Sequence, residues 1–203
     1  MSKHTITREQ IAQHGGLGEV LSAFDDAYPS GVAEYDPTSA EDAARILGGP
    51  LAEWWAWNVD NGIAVPFFIS VGDYGTSTAG DYGTSTSGYR GTATAGEEGT
   101  STSGHHGTSV SGNYGTATAG VGGTSTSGHH GTSISGNYGT ATAGDEGTIV
   151  ITHYDGRRHR LVVGYIGETT DAAGEVLAPG VAYRLDEDGR FVRAEADRGV
   201  GDE

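Results

Sequence analysis

Residues 72–95 read GDYGTSTA GDYGTSTS GYRGTATA, three consecutive copies of an eight-residue unit with the pattern Gly-x-x-Gly-Thr-Ser/Ala-Thr-Ser/Ala. With a few substitutions, the unit is written ten times without a gap from Gly72 to Ile151. A fixed period over such a length indicates a repeat array, in which each unit buries surface only against its neighbours. The array therefore decides the fold of the chain.

The second half of each unit alternates with a period of two, which is typical of a β-strand. In the first unit, Thr76 and Thr78 share one face, and Ser77 and Ala79 share the other. Small side chains allow two sheets to approach closely, so we predict Ser and Ala inside and Thr facing solvent. The Gly-x-x-Gly halves are predicted to form corners, in which glycine supplies positive φ angles.

The number of units in each coil has two interpretations. His105-His106 recurs as His129-His130 after 24 residues, which favours three units per coil. A three-sided coil encloses more space than Ser and Ala can fill, however, and cavities destabilise a core. We therefore expect sixteen residues per coil and interpret the recurrence as the duplication of a 24-residue block.

Two observations oppose parts of this prediction. Val110 and Ile134 replace the second Thr of their units, and apolar residues are more common inside a protein than on its surface. The Gly, Ser and Thr content is also typical of unfolded chains, although the strict register of the repeat argues against disorder. We predict an all-β fold, a β-solenoid of octapeptide repeats with about two strands per coil, a small α-helical N-terminal cap and a C-terminal β-hairpin cap.

The chain divides into three regions. Residues 1–71 are expected to form a helical N-terminal flank or cap, and residues 72–151 the octapeptide-repeat solenoid. Residues 152–203 are expected to form a β-hairpin cap followed by an acidic tail.

Both flanks carry local signals for these caps. Thr7 is a typical helix N-cap, and Asp155-Gly156 between two β-rich runs is a typical hairpin turn. A cap over the last coil would protect a strand edge that could otherwise pair with another molecule. The residues expected to be buried there are Ile149, Val150, Ile151 and Val162.

The outward Thr row is the candidate binding surface. Successive Thr residues along a strand are ~6.7 Å apart and neighbouring strands are ~4.8 Å apart, which gives a regular lattice of hydroxyl and methyl groups. Such a lattice is suited to ordering water or binding ice. Its predicted members are Thr76, Thr78, Thr84, Thr86, Thr92, Thr94, Thr100, Thr102, Thr116, Thr118, Thr124, Thr126, Thr140 and Thr142.

The three tryptophans of the chain, Trp54, Trp55 and Trp57, are concentrated in one predicted helix. One interpretation is that they pack over the open first coil. The other is that they form an aromatic contact for a partner protein.

The unit resembles the octads of bacterial ice nucleation proteins, whose sixteen-residue coils pair segments of the type Gly-Tyr-Gly-Ser-Thr-x-Thr-Ala. The similarity lies in the Gly-x-x-Gly-Thr-x-Thr-Ala/Ser pattern of residues 72–143. The unit is also similar to the Gly-Thr-Ala-Thr-Ala-Gly arrays of uncharacterised bacterial and phage proteins. In this chain Gly replaces the Ser before the first Thr, and the array is very short. The resemblance implies a β-solenoid and, for the first family, ice or water as the ligand.

The formal net charge is −16, from 27 acidic and 11 basic residues. Binding to a phosphate backbone requires Lys and Arg, so direct nucleic-acid binding is not expected. An acidic surface suits solubility or a basic protein partner. Cysteine is absent, the N-terminus lacks an apolar signal region and no run reaches membrane-spanning length, so we expect a soluble cytoplasmic protein without a Sec signal or membrane contact.

No motif in the sequence indicates catalysis. The Gly-rich corners lack the Gly-Lys-Ser/Thr of a phosphate-binding loop, and no Ser lies in a nucleophile elbow. Because sixteen-residue coils would place the two His pairs on opposite edges, no metal site is expected either. We therefore expect a non-enzyme without catalytic residues, cofactor or metal.

Three functions fit these observations. The first is a surface-recognition solenoid that presents the Thr-x-Thr lattice to ice or water. The second is an acidic phage or bacterial interaction scaffold, such as an anti-defence inhibitor of a basic nucleic-acid-binding host protein. The third is a segment of a spike or fibre. Self-association through the solenoid edges is a further alternative.

Overall fold

The computed structural model describes residues 3–14, 18–47 and 51–194 of the chain. It confirms the predicted all-β fold, a β-solenoid of about five coils with few helices and further strands at its C-terminal end. The last nine residues of the predicted acidic tail, 195–203, lie outside the described residues.

The solenoid is flattened between two sheets, because consecutive units contribute strands to opposite sheets. Sheet I contains, in chain order, β3 (Phe68–Ser70), β5 (Thr84–Ser87), β7 (Thr100–Ser103), β9 (Thr116–Ala119), β11 (Thr132–Ser135), β13 (Thr148–Tyr154) and β14 (His159–Tyr165). Sheet II contains β4 (Thr76–Thr78), β6 (Thr92–Thr94), β8 (Thr108–Val110), β10 (Thr124–Thr126), β12 (Thr140–Thr142), β15 (Tyr183–Leu185) and β16 (Phe191–Arg193).

The register of the strands fixes the coil at sixteen residues. In sheet II, Thr124 lies beside Thr140 and Thr108 in parallel pairing. In sheet I, Thr100 lies beside Thr116 in the same way. The prediction of two units per coil is confirmed, and the alternative of three is wrong.

The interior is built from the small residues, as predicted. Ser85, Ser101, Ala93 and Ala117 are completely buried, while the flanking Thr residues alternate with them on the outside. Facing serines from the two sheets also bond to each other, since the Oγ atoms of Ser77 and Ser85 are 2.6 Å apart. Buried hydroxyls need such partners, so these pairs join the sheets through polar contacts as well as packing.

The corners differ from the prediction that glycine supplies the positive φ angles. The positive φ angles lie instead at the third residue of each unit. Nine of the ten third residues are not glycine and have φ between 51° and 60°, and the tenth is Gly122, with φ of 65°. Of the repeated corner glycines, Gly80 alone has a positive φ, at 72°, and most of the others are needed for space instead. A Cβ on Gly112, for example, would lie 2.7 Å from the backbone nitrogen of Glu97 and 2.8 Å from the carbonyl carbon of Gly96 in the coil below.

The N-terminal cap is helical, as expected, but also contains a two-stranded sheet that the sequence did not indicate. Its elements are β1 (His4–Thr7), α1 (Arg8–Gln13), α2 (Gly18–Ala27), β2 (Val32–Tyr35), α3 (Ala40–Leu47) and α4 (Ala52–Asp60). Strands β1 and β2 pair in antiparallel register. Thr7 caps α1 as predicted, because its Oγ1 accepts a hydrogen bond from the Gln10 N–H and the Gln10 side chain bonds back to the Thr7 N–H.

The C-terminal cap consists of two hairpins, β13–β14 and β15–β16. Its core holds Leu177, Tyr183 and Phe191 together with Ile149 and Ile151, which are buried as predicted. Two expected cap residues lie differently. Val162 is only partly buried against this core, and Val150 faces outward because it occupies an outward Thr position of its unit.

Candidate functional site

The outer face of sheet II carries the more complete Thr lattice. Each strand contributes two outward positions, and the strands stack in exact register, so these positions form two columns. The first column is Thr76, Thr92, Thr108, Thr124 and Thr140, and the second is Thr78, Thr94, Val110, Thr126 and Thr142. Nine of these ten positions are therefore Thr.

The outer face of sheet I is divided in two. Its first column is Thr throughout the array, in the order Thr84, Thr100, Thr116, Thr132 and Thr148. Its second column begins with Thr86, Thr102 and Thr118 and then changes to Ile134, Val150 and Val163. The second column of sheet I is thus Thr near the N-terminal cap and aliphatic near the C-terminal cap, while the first column stays Thr at both ends.

The predicted Thr set does not form one surface. Because consecutive units alternate between the sheets, its members are shared between two opposite faces. Sequence reasoning also omitted Thr108, Thr132 and Thr148, which lie in the same columns. Their position in the repeat could have identified them, since each is the first Thr of its unit and that position is outward in every unit.

The backbone of the array holds both lattices rigidly. Each inner strand is paired with strands on both sides, and the corner amides of one coil bond to the coil above, as in the 2.8 Å bond from Tyr74 N–H to the Tyr89 carbonyl. Below the Thr rows, close-packed Ser and Ala leave little room for movement. The Thr side chains are therefore presented on a preorganised surface.

The N-terminal cap limits the lattice of sheet II at one end. An open notch of about 200 Å³ lies between the cap and the first coils, with Leu47 and Trp55 on one side and Thr78 and Thr94 on the other. Leu47 also lies close to the second corner, where a Cβ on Gly80 would approach it to 2.8 Å. The middle and far coils of sheet II are the part that a large flat ligand can reach.

Two of the three tryptophans belong to the core of the N-terminal cap. Trp54 and Trp55 are 3% and 1% exposed, and Trp55 packs against Phe67 with ring centroids 4.9 Å apart. The same core includes Ile69 and Ala79 of the first coil, which is the packing role expected for the cluster. Their side chains are not available to a partner, and Trp57 alone retains partial exposure at the edge of this core.

The two histidine pairs lie on opposite edges of the solenoid. His106 belongs to the corners that lead into sheet II, where its backbone N–H donates a hydrogen bond to the Val121 carbonyl of the next coil. His130 belongs to the corners that lead into sheet I, where its Nε2 lies 3.3 Å from the Glu146 carboxylate and its ring stacks on Tyr114. Within the described ranges, no three His, Asp or Glu side chains converge as metal ligands.

Acidic side chains gather on the corner edge beside the N-terminal cap. Asp60, Asp81, Glu97 and Glu98 line one shallow groove there. The Asp81 carboxylate accepts a 2.8 Å hydrogen bond from the Glu97 N–H and so joins two coils. The hydroxyl of Tyr82 donates to Asp60 at 3.0 Å, and this bond, with neighbouring acidic groups, raises the Tyr82 pKa above its usual value.

No family model, curated protein or solved structure matches this chain. In the part of the chain that the structure describes, no helix has the length and apolar character to cross a bilayer.

Proposed function

We propose that this protein binds ice or organises water through the outer face of sheet II. The observation that carries the proposal is the pair of columns in which nine of ten outward positions are Thr. Each Thr offers a hydroxyl that can hydrogen-bond to water and a methyl that can contact it, at spacings of ~4.8 Å between strands and ~6.7 Å along them.

Rigidity supports this function. A mobile surface loses conformational entropy when it is ordered against a ligand, and a preorganised surface avoids much of that cost. The Thr residues of sheet II are β-branched, stand on paired strands and lie above a fully buried Ser/Ala layer. Their arrangement is thus fixed before any ligand arrives.

The resemblance of the octads to those of ice nucleation proteins points in the same direction. The array here has about five coils, so the lattice is only ~24 Å long at strand spacing. A surface of this size is suited to adsorbing to existing ice. We therefore expect modest inhibition of ice growth.

The sheets provide a matched test. Thr92→Lys with Thr124→Lys disrupts the first column of sheet II. Thr100→Lys with Thr116→Lys makes the same change in the first column of sheet I. All four positions are outward, so each substitution should alter stability by less than ~0.5 kcal/mol. We expect the sheet II variant to lose most of its ice-recrystallisation inhibition and the sheet I variant to retain it.

Two further results complete this test. Val110→Thr fills the one interruption on sheet II and should increase the inhibition. A wild-type protein without any effect on ice recrystallisation or thermal hysteresis, with circular dichroism showing intact β-structure, would refute the proposal.

The acidic edge supports a second candidate, a scaffold for a basic protein. The observation that favours it is the convergence of Asp60, Asp81, Glu97 and Glu98 in a chain of net charge −16. Binding to a basic partner would fade with added salt and would be lost in a Glu97→Lys, Glu98→Lys variant. The sheet II lysine variant would bind the same partner normally, which distinguishes the two functions.

A further inference from the structure

Strand β14 is an open edge of sheet I. It is the terminal strand of the sheet, and within residues 3–14, 18–47 and 51–194 its one strand partner is β13. The Ile166 N–H bonds to the Gly147 carbonyl, so the even-numbered residues of β14 point their backbone groups at β13. The N–H and C=O groups of His159, Leu161 and Val163 consequently point away from the sheet, into solvent.

The other terminal strands of the solenoid sheets are covered in the described structure. The N-terminal cap packs on β3 and β4 at the first coil. At the other end of sheet II, β16 has three residues, and its Phe191 carbonyl accepts a 2.8 Å hydrogen bond from the Ala172 N–H. Strand β14 has seven residues. It ends in a turn in which the Tyr165 backbone N–H donates a hydrogen bond to Thr169 Oγ1.

The outer side chains of β14 form an apolar surface. Leu161, Val163 and Tyr165 are 70%, 43% and 52% exposed and face the same side as the Thr rows. Val163 continues the aliphatic column of Ile134 and Val150. Contiguous exposed apolar surface next to an unpaired strand edge is typical of a site of β-pairing with another chain.

Unpaired charges of opposite sign flank this strand. Arg157 and Arg158 precede it, Glu168 follows it, and none of the three makes an ion pair within the described residues. An antiparallel copy of the same strand reverses this order. Two copies related by a two-fold axis therefore place the basic turn of each beside the acidic turn of the other, twice.

We propose that β14 is a docking site for the β14 strand of a second copy of this chain. The two strands pair in antiparallel register about Leu161, so that His159 of each copy faces Val163 of the other. All the outward backbone groups of these residues then find partners, and the apolar side chains meet across the two-fold axis. Elsewhere the copies carry a strong net negative charge, so this basic end is where they approach with least repulsion.

This dimer does not depend on the proposed function. Because a two-fold axis between antiparallel strands is perpendicular to the sheet, both copies would turn sheet II to the same side. The pairing therefore joins two Thr lattices into one assembly.

Analytical ultracentrifugation of the full chain at concentrations up to about 100 μM tests the proposal, since a dimer of micromolar affinity is nearly complete at that concentration. Val163→Pro removes an outward N–H that β13 does not use, and Leu161→Lys adds charge to an exposed position. Each should raise the dimer dissociation constant at least about tenfold. Phe68→Lys, at a half-exposed position on the opposite end of sheet I, is the matched control and should leave the constant unchanged.

Charge reversal tests the orientation. Arg158→Glu and Glu168→Lys should each weaken the dimer, and the double variant should recover much of the loss. A wild-type chain that stays monomeric at these concentrations would overturn the proposal. So would a dimer that withstands both Val163→Pro and Leu161→Lys.

Discussion

Ser101 and Ser109 face each other across the inside of the solenoid, with their Oγ atoms 2.7 Å apart. Both residues are completely buried, so each hydroxyl depends on the other for a hydrogen-bond partner. Two residues further along the same strand, the Ser103 Oγ is also buried but has no hydrogen-bond partner among the residues that the structure describes. One strand thus holds a satisfied and an unsatisfied serine in similar surroundings.

This difference predicts opposite effects of the same substitution. Ser101→Ala leaves the Ser109 hydroxyl unpaired and should destabilise the protein by about 1–3 kcal/mol. Ser103→Ala removes an unsatisfied hydroxyl and should stabilise it by about 1 kcal/mol, since Ala95 and Ala119 already occupy the equivalent position in neighbouring units. Urea unfolding followed by circular dichroism measures both changes. Equal destabilisation by the two variants would contradict the interpretation.

A second prediction concerns the third residue of the corners. Tyr138 has a φ angle of 60° and is 86% exposed, so its side chain gains little from packing. Tyr138→Gly should stabilise the protein by about 1 kcal/mol, because a residue with a Cβ is strained in this region of φ. Tyr138→Ala is the control and should give no such gain. Gly122 in the preceding coil shows that the corner accepts glycine.

The first glycine of the unit gives a third prediction. A Cβ on Gly112 would press on the backbone of the coil below, whereas Gly72 occupies the same place in the first unit and has open space around its Cβ position. Gly112→Ala should therefore destabilise the protein by roughly 2 kcal/mol or more, and Gly72→Ala should change stability by less than ~0.5 kcal/mol. Thermal unfolding compares the two. Similar losses of stability in both variants would mean that glycine is required by contacts inside its own unit and not by the backbone of the coil below.

The hairpin turn before β14 predicts a specific response to acid. Hydrogen bonds from the backbone of Arg158, the side chain of Arg160 and the backbone of Arg157 lower the Asp155 pKa to about 2. Because the folded pKa lies below the unfolded value of about 3.9, the stabilisation is present above that value. It is lost as the pH falls through about 2.

Carboxyl NMR should show Asp155 titrating near the lower value. Amide exchange of Arg157 and Arg158 should accelerate over the same pH range in the wild-type chain. Asp155→Asn keeps an oxygen acceptor but cannot titrate, so its exchange should lack this acid-dependent step. An Asp155 midpoint near the ordinary value would show that these bonds do not persist in solution.

Much of the solenoid could be predicted from the sequence because its unit carries two clear signals. The alternation in Thr76-Ser77-Thr78-Ala79 indicates a strand, and the small size of the inner residues excludes a wide coil. The coil size then determines that consecutive units face opposite sides. The candidate Thr set is therefore shared between two opposite faces, and its apolar replacements Val110 and Ile134 fall on different sheets.

The corner conformation could not be predicted from glycine content alone. Glycine serves both for positive φ and for close approach of backbones, and only the structure separates these roles. A signal was present in the third position of the unit, where no β-branched residue occurs in any of the ten copies. Residues such as Val and Ile are poorly tolerated at positive φ, whereas Val121 is accommodated at the second position, outside that region.

The sixteen-residue coil has a consequence for how this gene can diversify. The sequence recurs every 24 residues, so two sequence blocks span the same length as three coils, 2 × 24 = 3 × 16. A segment and its duplicate therefore always fall on opposite sheets, as Val110 on sheet II and Ile134 on sheet I illustrate. Copying a block distributes each inherited residue evenly between the two faces. Specialisation of one face requires later point substitutions in individual copies.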